Sequence, residues 1–287
     1  MTIGILYESN EWSDYALRDS ITALGIEAVL IDMQEDIGEA ELLSYNMIIN
    51  RVFASAVFRG HGKALEQTRA AIELLRKNNI PMLNPYEAHF FEISKELAAK
   101  TLREHGFHVP KVYGVFRPAE MVKGFGVDYP CVVKPDCGGR TTYTYISGNY
   151  EELRDNVMKA PDLLFIIEEY IPPEFGFITR IEVIGGSCRL IVKRSVTENG
   201  LSAYHLGSVY SLYEDCSEEI KSAAIGAMGL LKIEAGSLDI IENSSGFFII
   251  DVNSVSNVSE DNTEMFNFDL MKETAVYAVE KYRREKY

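Results

Sequence analysis

The sequence predicts a mixed α/β protein built in three successive regions, and three observations carry that expectation. Short apolar runs alternate with helix-spaced apolar residues through the N-terminal third. A strand–strand–helix–strand pattern occupies roughly residues 131–169. Two hairpin signals, Gly185-Gly186 and Asn243-Ser244-Ser245-Gly246, organise the rest. The expected class is therefore α/β passing into α+β. It comprises a parallel α/β domain over residues 1–92, a small central flap domain over 93–167 and an antiparallel-sheet domain over 168–287.

In the first region, Ile3 to Tyr7 reads as a short strand. Tyr15, Leu17, Ile21 and Leu24 recur at helical spacing, and Gly25 stops that helix. Strands follow at Ala28 to Ile31 and Met47 to Asn50. A longer helix places Leu65, Thr68, Ile72 and Leu75 on one face and ends at Asn78-Asn79-Ile80-Pro81.

The pattern changes around Pro85. Ser94 to Glu104 reads as a helix with Ser94 as N-cap, ended by Gly106 and Pro110. Strands at Cys131 to Lys134 and Tyr143 to Ile146, a helix near Tyr150 to Met158 and a strand at Leu164 to Glu169 complete the compact central unit.

From Pro172 onward, Ile178 to Ile184 and Cys188 to Lys193 flank Gly185-Gly186 as a two-residue hairpin. Ser217-Glu218-Glu219 opens a helix with acids in its first turn. Leu238-Asp239-Ile240-Ile241 and Ile249-Ile250-Asp251-Val252-Asn253 then form the second hairpin, and a helix from about Leu270 to Arg283-Arg284 closes the chain. A three-residue loop at Ser244-Ser245-Gly246 would set Asp239 opposite Asp251, with Asn253 on the same face. A two-residue turn at Ser244-Ser245 would instead send one acid to the other face. Facing carboxylates repel, and a hard cation such as Mg²⁺, which prefers oxygen ligands, would reverse that penalty.

Composition narrows the function. The 287 residues are 47% hydrophobic and 25% charged, enough for one large domain or several small ones sharing cores. A formal net charge of −15 argues against a phosphate-neutralising nucleic-acid surface. No apolar run approaches a membrane span, and the N-terminus meets Glu8 too early for a signal peptide. Cys131, Cys137, Cys188 and Cys216 lack CxxC spacing and read as reduced thiols of a cytoplasmic protein. Cys137, beside glycines, is also a candidate nucleophile, although a buried structural thiol is the plainer reading. The familiar nucleotide loops are absent: Gly62-Lys63 is followed by Ala64, and Gly60-His61-Gly62 is not completed to GxGxxG.

Other constellations carry chemistry. Val132-Val133-Lys134-Pro135 puts a lysine at the end of a buried strand, which is costly unless an anion meets it. The following Asp136-Cys137-Gly138-Gly139-Arg140 could cradle phosphate oxygens through its amides, or be a plain turn. Ile166-Ile167-Glu168-Glu169-Tyr170-Ile171-Pro172-Pro173-Glu174 leaves a core and could present backbone groups at Glu169 and Ile171 to an adenine edge, with Glu174 at a ribose; it equally fits an acidic strand end. Arg180 and Arg194, on the two arms of the first hairpin, suit carboxylate or phosphate, or a solvated sheet face.

Taken in order, Lys95, Lys134-Pro135 with its Gly loop, Glu168-Glu169-Tyr170-Ile171, Gly185-Gly186, Asp239 and Asp251-Val252-Asn253 resemble the ATP-grasp superfamily, and within it the RimK-type amino-acid ligases. Ile80-Pro81-Met82-Leu83-Asn84-Pro85, Val109-Pro110-Lys111 and Gly229-Leu230-Leu231 are similar to further family stretches. The resemblance covers nearly the whole chain, and its strength lies in the order rather than in any one motif. It implies an ATP-grasp fold with a pre-ATP-grasp N-terminal domain. Lys95 and Lys134 would contact ATP phosphates, Gly138 and Gly139 would lie in the loop over the triphosphate, and Glu168, Glu169, Tyr170, Ile171 and Glu174 would hold adenosine. Asp239, Asp251 and Asn253 would hold two Mg²⁺ ions, with Mn²⁺ as a substitute, while Arg180 and Arg194 would serve catalysis.

The implied activity is an ATP-dependent carboxylate–amine ligase working through an acyl phosphate. Its partners would be a small-molecule acid and amine, or a peptide or protein terminus as acceptor. No nucleic acid or membrane partner is implied, and a homo-oligomer stays open. An ATP-grasp kinase and a non-catalytic ATP-binding scaffold are the alternatives. The chain departs from the family pattern at several places: Asp251 stands where Glu is usual, Ile178-Thr179-Arg180 lacks the acid of Asp-x-Arg, Ala203 replaces an Asn, and Ser254-Val255 replaces Pro-Gly. His205 is a candidate base or a structural histidine.

Overall fold

Three sheets follow one another along the chain in the computed structural model, which describes residues 2–121 and 126–285. The first region contains β1 (Thr2–Tyr7), α1 (Trp12–Ala23), β2 (Glu27–Asp32), α2 (Glu39–Leu42), β3 (Met47–Asn50), α3 (Gly62–Lys77) and β4 (Met82–Leu83). Its strands pair in parallel in the order β2-β1-β3-β4. The near-continuous apolar runs of β1 and β3 suit strands covered on both faces. One face packs under α3, where Ile48, Ala64, Ile72 and Leu75 are buried together. The other packs under α1, where Ile3, Ile5, Leu17 and Ile21 meet Ala275, Ala278 and Val279 of the last helix in the chain, named α9 below.

The helices α4 (Tyr86–Ile93) and α5 (Lys95–Glu104) lead into the second sheet. Ser94 caps α5 as predicted, its hydroxyl accepting from the Leu97 amide. The sheet contains β5 (Val112–Phe116), β6 (Cys131–Pro135), β7 (Tyr145–Ser147) and β8 (Phe165–Glu169), ordered β5-β8-β6-β7, with α6 (Tyr150–Val157) between β7 and β8. It is antiparallel throughout. The strand β5 went unread in the sequence because Gly114 interrupts it and its side chains are mostly half-buried, so no clean alternation marks it.

The third sheet is antiparallel, in the order β11-β10-β9-β12-β13. Its strands are β9 (Phe177–Ile184), β10 (Ser187–Ser195), β11 (Tyr210–Leu212), β12 (Ala235–Asn243) and β13 (Gly246–Asn253), with α7 (Glu218–Leu230) between β11 and β12. Gly185 and Gly186 form the expected two-residue turn, both at positive φ, as a hairpin of this twist requires. Residues of α7, capped by Ser217, bury Ile181, Val183, Leu238 and Ile240 on one face of this sheet. The opposite face is left for the cleft described below. The chain ends with α8 (Glu260–Phe266) and α9 (Leu270–Glu285).

The β12–β13 hairpin corrects the predicted turn. Asn243 pairs with Gly246, so the loop is the two residues Ser244-Ser245, not three. That register alone would oppose Asp239 to Ile250. A β-bulge between Asp239 and Ile240 absorbs one residue of β13, and Asp239 comes to face Asp251 after all. The facing pair was expected; the device that makes it was not.

Candidate active site

The free face of the third sheet forms the floor of a cleft of about 550 Å³, walled by the second sheet and by loops of the first region. Side chains on this floor fall into rows, because strand registers place residues of β9, β12 and β13 side by side. Nearest the second sheet, Ile178 and Ile241 are buried against Ile171 in an apolar patch. The next row is Arg180, Asp239 and Asp251. One row further stand Glu182, Ser237 and Asn253. Gly236 permits the close approach of β12 to β13 there, since a Cβ would collide with the Asn253 carbonyl.

The acid pair is surrounded by cations. The Asp239 carboxylate accepts from Arg194 Nη2 at 2.8 Å and from Arg180 Nη1 at 3.3 Å. Burial pushes its carboxyl up, but the two guanidiniums outweigh that and hold it below the usual carboxylate range. Asp251 lies on the edge strand and is more exposed; its Oδ1 is 3.4 Å from Lys95 Nζ. Lys95, at the first position of α5, also donates to the Gly138 carbonyl at 2.9 Å. Burial works against the Lys95 charge, and Asp251 and Glu92 more than restore it, so its pKa is raised.

The second sheet contributes Lys134, which donates to Glu168 Oε2 at 2.8 Å and to the Ile250 carbonyl at 2.8 Å. The bulge thus supplies the acceptor that ties the flap strand β6 to the floor. This pair also answers what meets the buried ammonium: an internal carboxylate, in the described chain. The loop after β6 bends through positive φ at Gly138, Arg140, Thr141 and Tyr143, and Arg140 forms an ion pair with Glu11 of the first region.

The predicted site residues Lys95, Lys134, Gly138, Gly139, Glu168, Glu169, Tyr170, Ile171, Arg180, Arg194, Asp239, Asp251 and Asn253 all line this one cleft. Glu174 does not. Its carboxylate accepts from the Ser244 amide of the hairpin turn at 2.8 Å, outside the lining, because the chain turns at Pro172–Gly176 after leaving β8. The Glu169 amide is also engaged, donating to the Lys111 carbonyl, whereas the Ile171 amide has no backbone partner among the described residues. His205 lines the cleft with Nε2 at 3.4 Å from Thr141 Oγ1. Burial raises the Cys137 thiol to about 11, which disfavours the thiolate a nucleophile needs.

Sequence reasoning missed Glu92 and three residues of the first region. Glu92 is buried; its carboxylate accepts from the Ser254 amide at 2.7 Å and from the Ala54 amide at 3.3 Å, pinning the segment just after Asn253. Burial raises its pKa, the hydrogen bonds opposing. Trp12, Phe53 and Ser55 bring the first region into the cleft wall. An acid inside an apolar helix, as in Phe90-Phe91-Glu92-Ile93, is the one signal that could have flagged Glu92.

Asp239, Asp251 and Asn253 offer two carboxylates and an amide, an all-oxygen donor set on one sheet face that fits Mg²⁺ or Mn²⁺. No group of three or more His, Cys, Asp or Glu side chains able to hold a metal occurs among the described residues.

The model of the RimK-like ATP-grasp domain matches residues 94–275. The chain belongs to this family. A D-alanine–D-alanine ligase of Lacticaseibacillus casei is 27% identical over 141 residues, 45% of this chain and 38% of that protein, so the match spans well under half of the relative. The solved D-cycloserine synthetase DcsG superposes with a TM-score of 0.76 at 14% identity, over 98% of this chain and all of that one. The ATP-grasp ligase PsnB, solved with a phosphomimetic variant of a minimal precursor, Mg and ADP, superposes at 0.67 with 14% identity, over 96% and 97%. The overall fold is that of ATP-grasp ligases, as the resemblance in the sequence implied. Among the described residues no helix is long and apolar enough to cross a membrane.

Proposed function

We propose that the protein is an ATP- and Mg²⁺-dependent ligase that joins a carboxylate to an amine through an acyl phosphate. The observation that carries this reading is the row Arg180–Asp239–Asp251, flanked by Lys95, Lys134 and Arg194, in one cleft with an apolar base-sized patch. The family and the ligases among its structural relatives support it.

The residues divide the work along the floor. Ile171, Ile178 and Ile241 offer an apolar slot for a base, with the free Ile171 amide at its edge. Lys95 and Lys134 sit where a triphosphate leaving that slot would pass, and can exchange their internal acids for phosphate oxygens. Asp239, Asp251 and Asn253 would hold Mg²⁺, two ions in our reading, which neutralises charge on the phosphates when bound. A substrate carboxylate oxygen bonds to the γ-phosphorus as the bond to ADP breaks. The amine nitrogen then bonds to the acyl carbon, inorganic phosphate departs and the nitrogen loses a proton. Arg180 and Arg194 orient the acid and stabilise the charge developing on it. The Gly138–Thr144 loop, held to the first region through Arg140 and Glu11, keeps water from the acyl phosphate.

The test is incubation with ATP, Mg²⁺ and paired mixtures of acids and amino acids, followed by mass spectrometry of products. ADP release that requires both an acid and an amine supports the ligase. Release with a hydroxyl compound alone points to a kinase, and nucleotide binding with no product in any mixture points to a scaffold.

A further inference from the structure

The row beyond the acid pair contains a carboxylate to which no role has yet been given. Glu182 is 2% exposed and lies on the cleft-floor face of β9, in register with Ser237 and, across β12, with Asn253. Its Oε1 accepts from Arg180 Nε at 2.7 Å, and its Oε2 accepts from the Ser256 hydroxyl. The Ser256 carbonyl accepts from Arg51 Nη1 at 2.8 Å, and Arg51 Nε donates to Asp14 at 2.9 Å. An unbroken polar chain therefore runs from α1, through the end of β3 and the segment after β13, to Arg180 and Asp239.

Two acids compete for one guanidinium here. Glu182 takes Nε at 2.7 Å, and Asp239 receives only Nη1 at 3.3 Å. A guanidinium is planar, and its donors are fixed relative to one another. Holding Nε on Glu182 therefore fixes which donor edge Asp239 can reach. Arg194 already holds Asp239 Oδ2 at 2.8 Å, so Oδ1 is the oxygen left for a cation; without Glu182, the half-buried Arg180 would have Asp239 as its remaining acid and would close on that Oδ1.

We propose that Glu182 is a positioning residue for the cation site: by saturating one edge of Arg180 it keeps Asp239 available to Mg²⁺. This rests on the reading of the cleft as a Mg²⁺–nucleotide site.

The test is a Mg²⁺ titration of ADP binding by calorimetry, with melting temperatures recorded in parallel. Glu182→Gln should raise the half-saturating Mg²⁺ concentration about tenfold, while ADP affinity at saturating Mg²⁺ stays within about twofold of wild type. In an Arg180→Gln background the same change should add nothing, because its effect passes through Arg180. An equal shift in both backgrounds, or a fall in melting temperature with no change in Mg²⁺ demand, overturns the proposal. Ser256→Ala removes the other partner of Glu182 and should shift Mg²⁺ demand in the same direction by less; it carries the test if Glu182→Gln does not fold, and an unchanged demand there overturns the proposal. A wild-type protein that binds no Mg²⁺–ADP at all sinks the ligase reading itself, and this inference with it.

Discussion

The two carboxylates of the β12–β13 hairpin face each other yet live in different surroundings. Asp239 is on an inner strand, buried and gripped by guanidiniums from β9 and β10. Asp251 is on the edge strand, partly exposed, with Lys95 at 3.4 Å. The inner acid is part of the sheet's internal charge balance, whereas the outer one balances Lys95 and is open enough to be a ligand. Function and stability should therefore separate across this pair.

The largest effect should come from separating the pair. Inserting one alanine between Ile250 and Asp251 gives the place opposite Asp239 to that alanine and turns Asp251 to the other face. Mg²⁺–nucleotide binding should be lost. Retained binding would mean that the acids need not face each other.

Next, Asp239→Ala and Asp251→Ala should each abolish Mg²⁺-dependent turnover, but only the first should unfold the protein readily. Asp239→Ala strands the buried Arg194, while Arg180 keeps Glu182, and should cost about 3 kcal/mol in denaturant titration. Asp251→Ala should cost about 1 kcal/mol or less. Acid titration sharpens the contrast. Because the folded Asp239 carboxyl lies below its ordinary value of 3.8, its stabilisation is complete above that pH and drains away as pH falls through the lower folded value. The Asp239→Asn protein should lose this acid limb, while Asp251→Asn should keep it. Equal costs for the two acids would erase the distinction.

The smallest effect is expected at the other end of the cleft. Glu174→Gln should leave nucleotide affinity within about twofold, since that carboxylate serves the Ser244 turn rather than the cleft. A tenfold loss would return Glu174 to the adenosine site.

That end also shows where reading from residues stops. Along β12 and β13, alternation of side chains set Asp239, Asp251 and Asn253 on one face only with a three-residue turn; the turn has two residues, and the bulge is what brings Asp239 opposite Asp251. After Glu169 the chain leaves the ladder, and the path through Pro172, Pro173 and Gly176 has no period to follow; the Glu174 carboxylate, expected at a ribose, meets the Ser244 amide. The strand β5 was missed for a related reason, its alternation blurred by Gly114 and half-burial. Ser94, Ser217 and Gly185-Gly186 were legible because caps and tight turns are local chemistry.

What the sequence determined by itself is the list of parts and their order: parallel region, flap, antiparallel region, and the lysines, arginines and acids that each delivers. Local propensity, capping and periodicity act within a few residues, so they survive in one dimension. What only the tertiary structure decided is which partner each charge finds. The bulge that rescues the acid pair, the Asp239 that takes both Arg180 and Arg194, and the Glu92 that pins Ser254 all depend on groups far apart in the chain. Their positions follow from strands meeting across sheets, where burial leaves each charge no solvent to fall back on and contact geometry alone selects its partner.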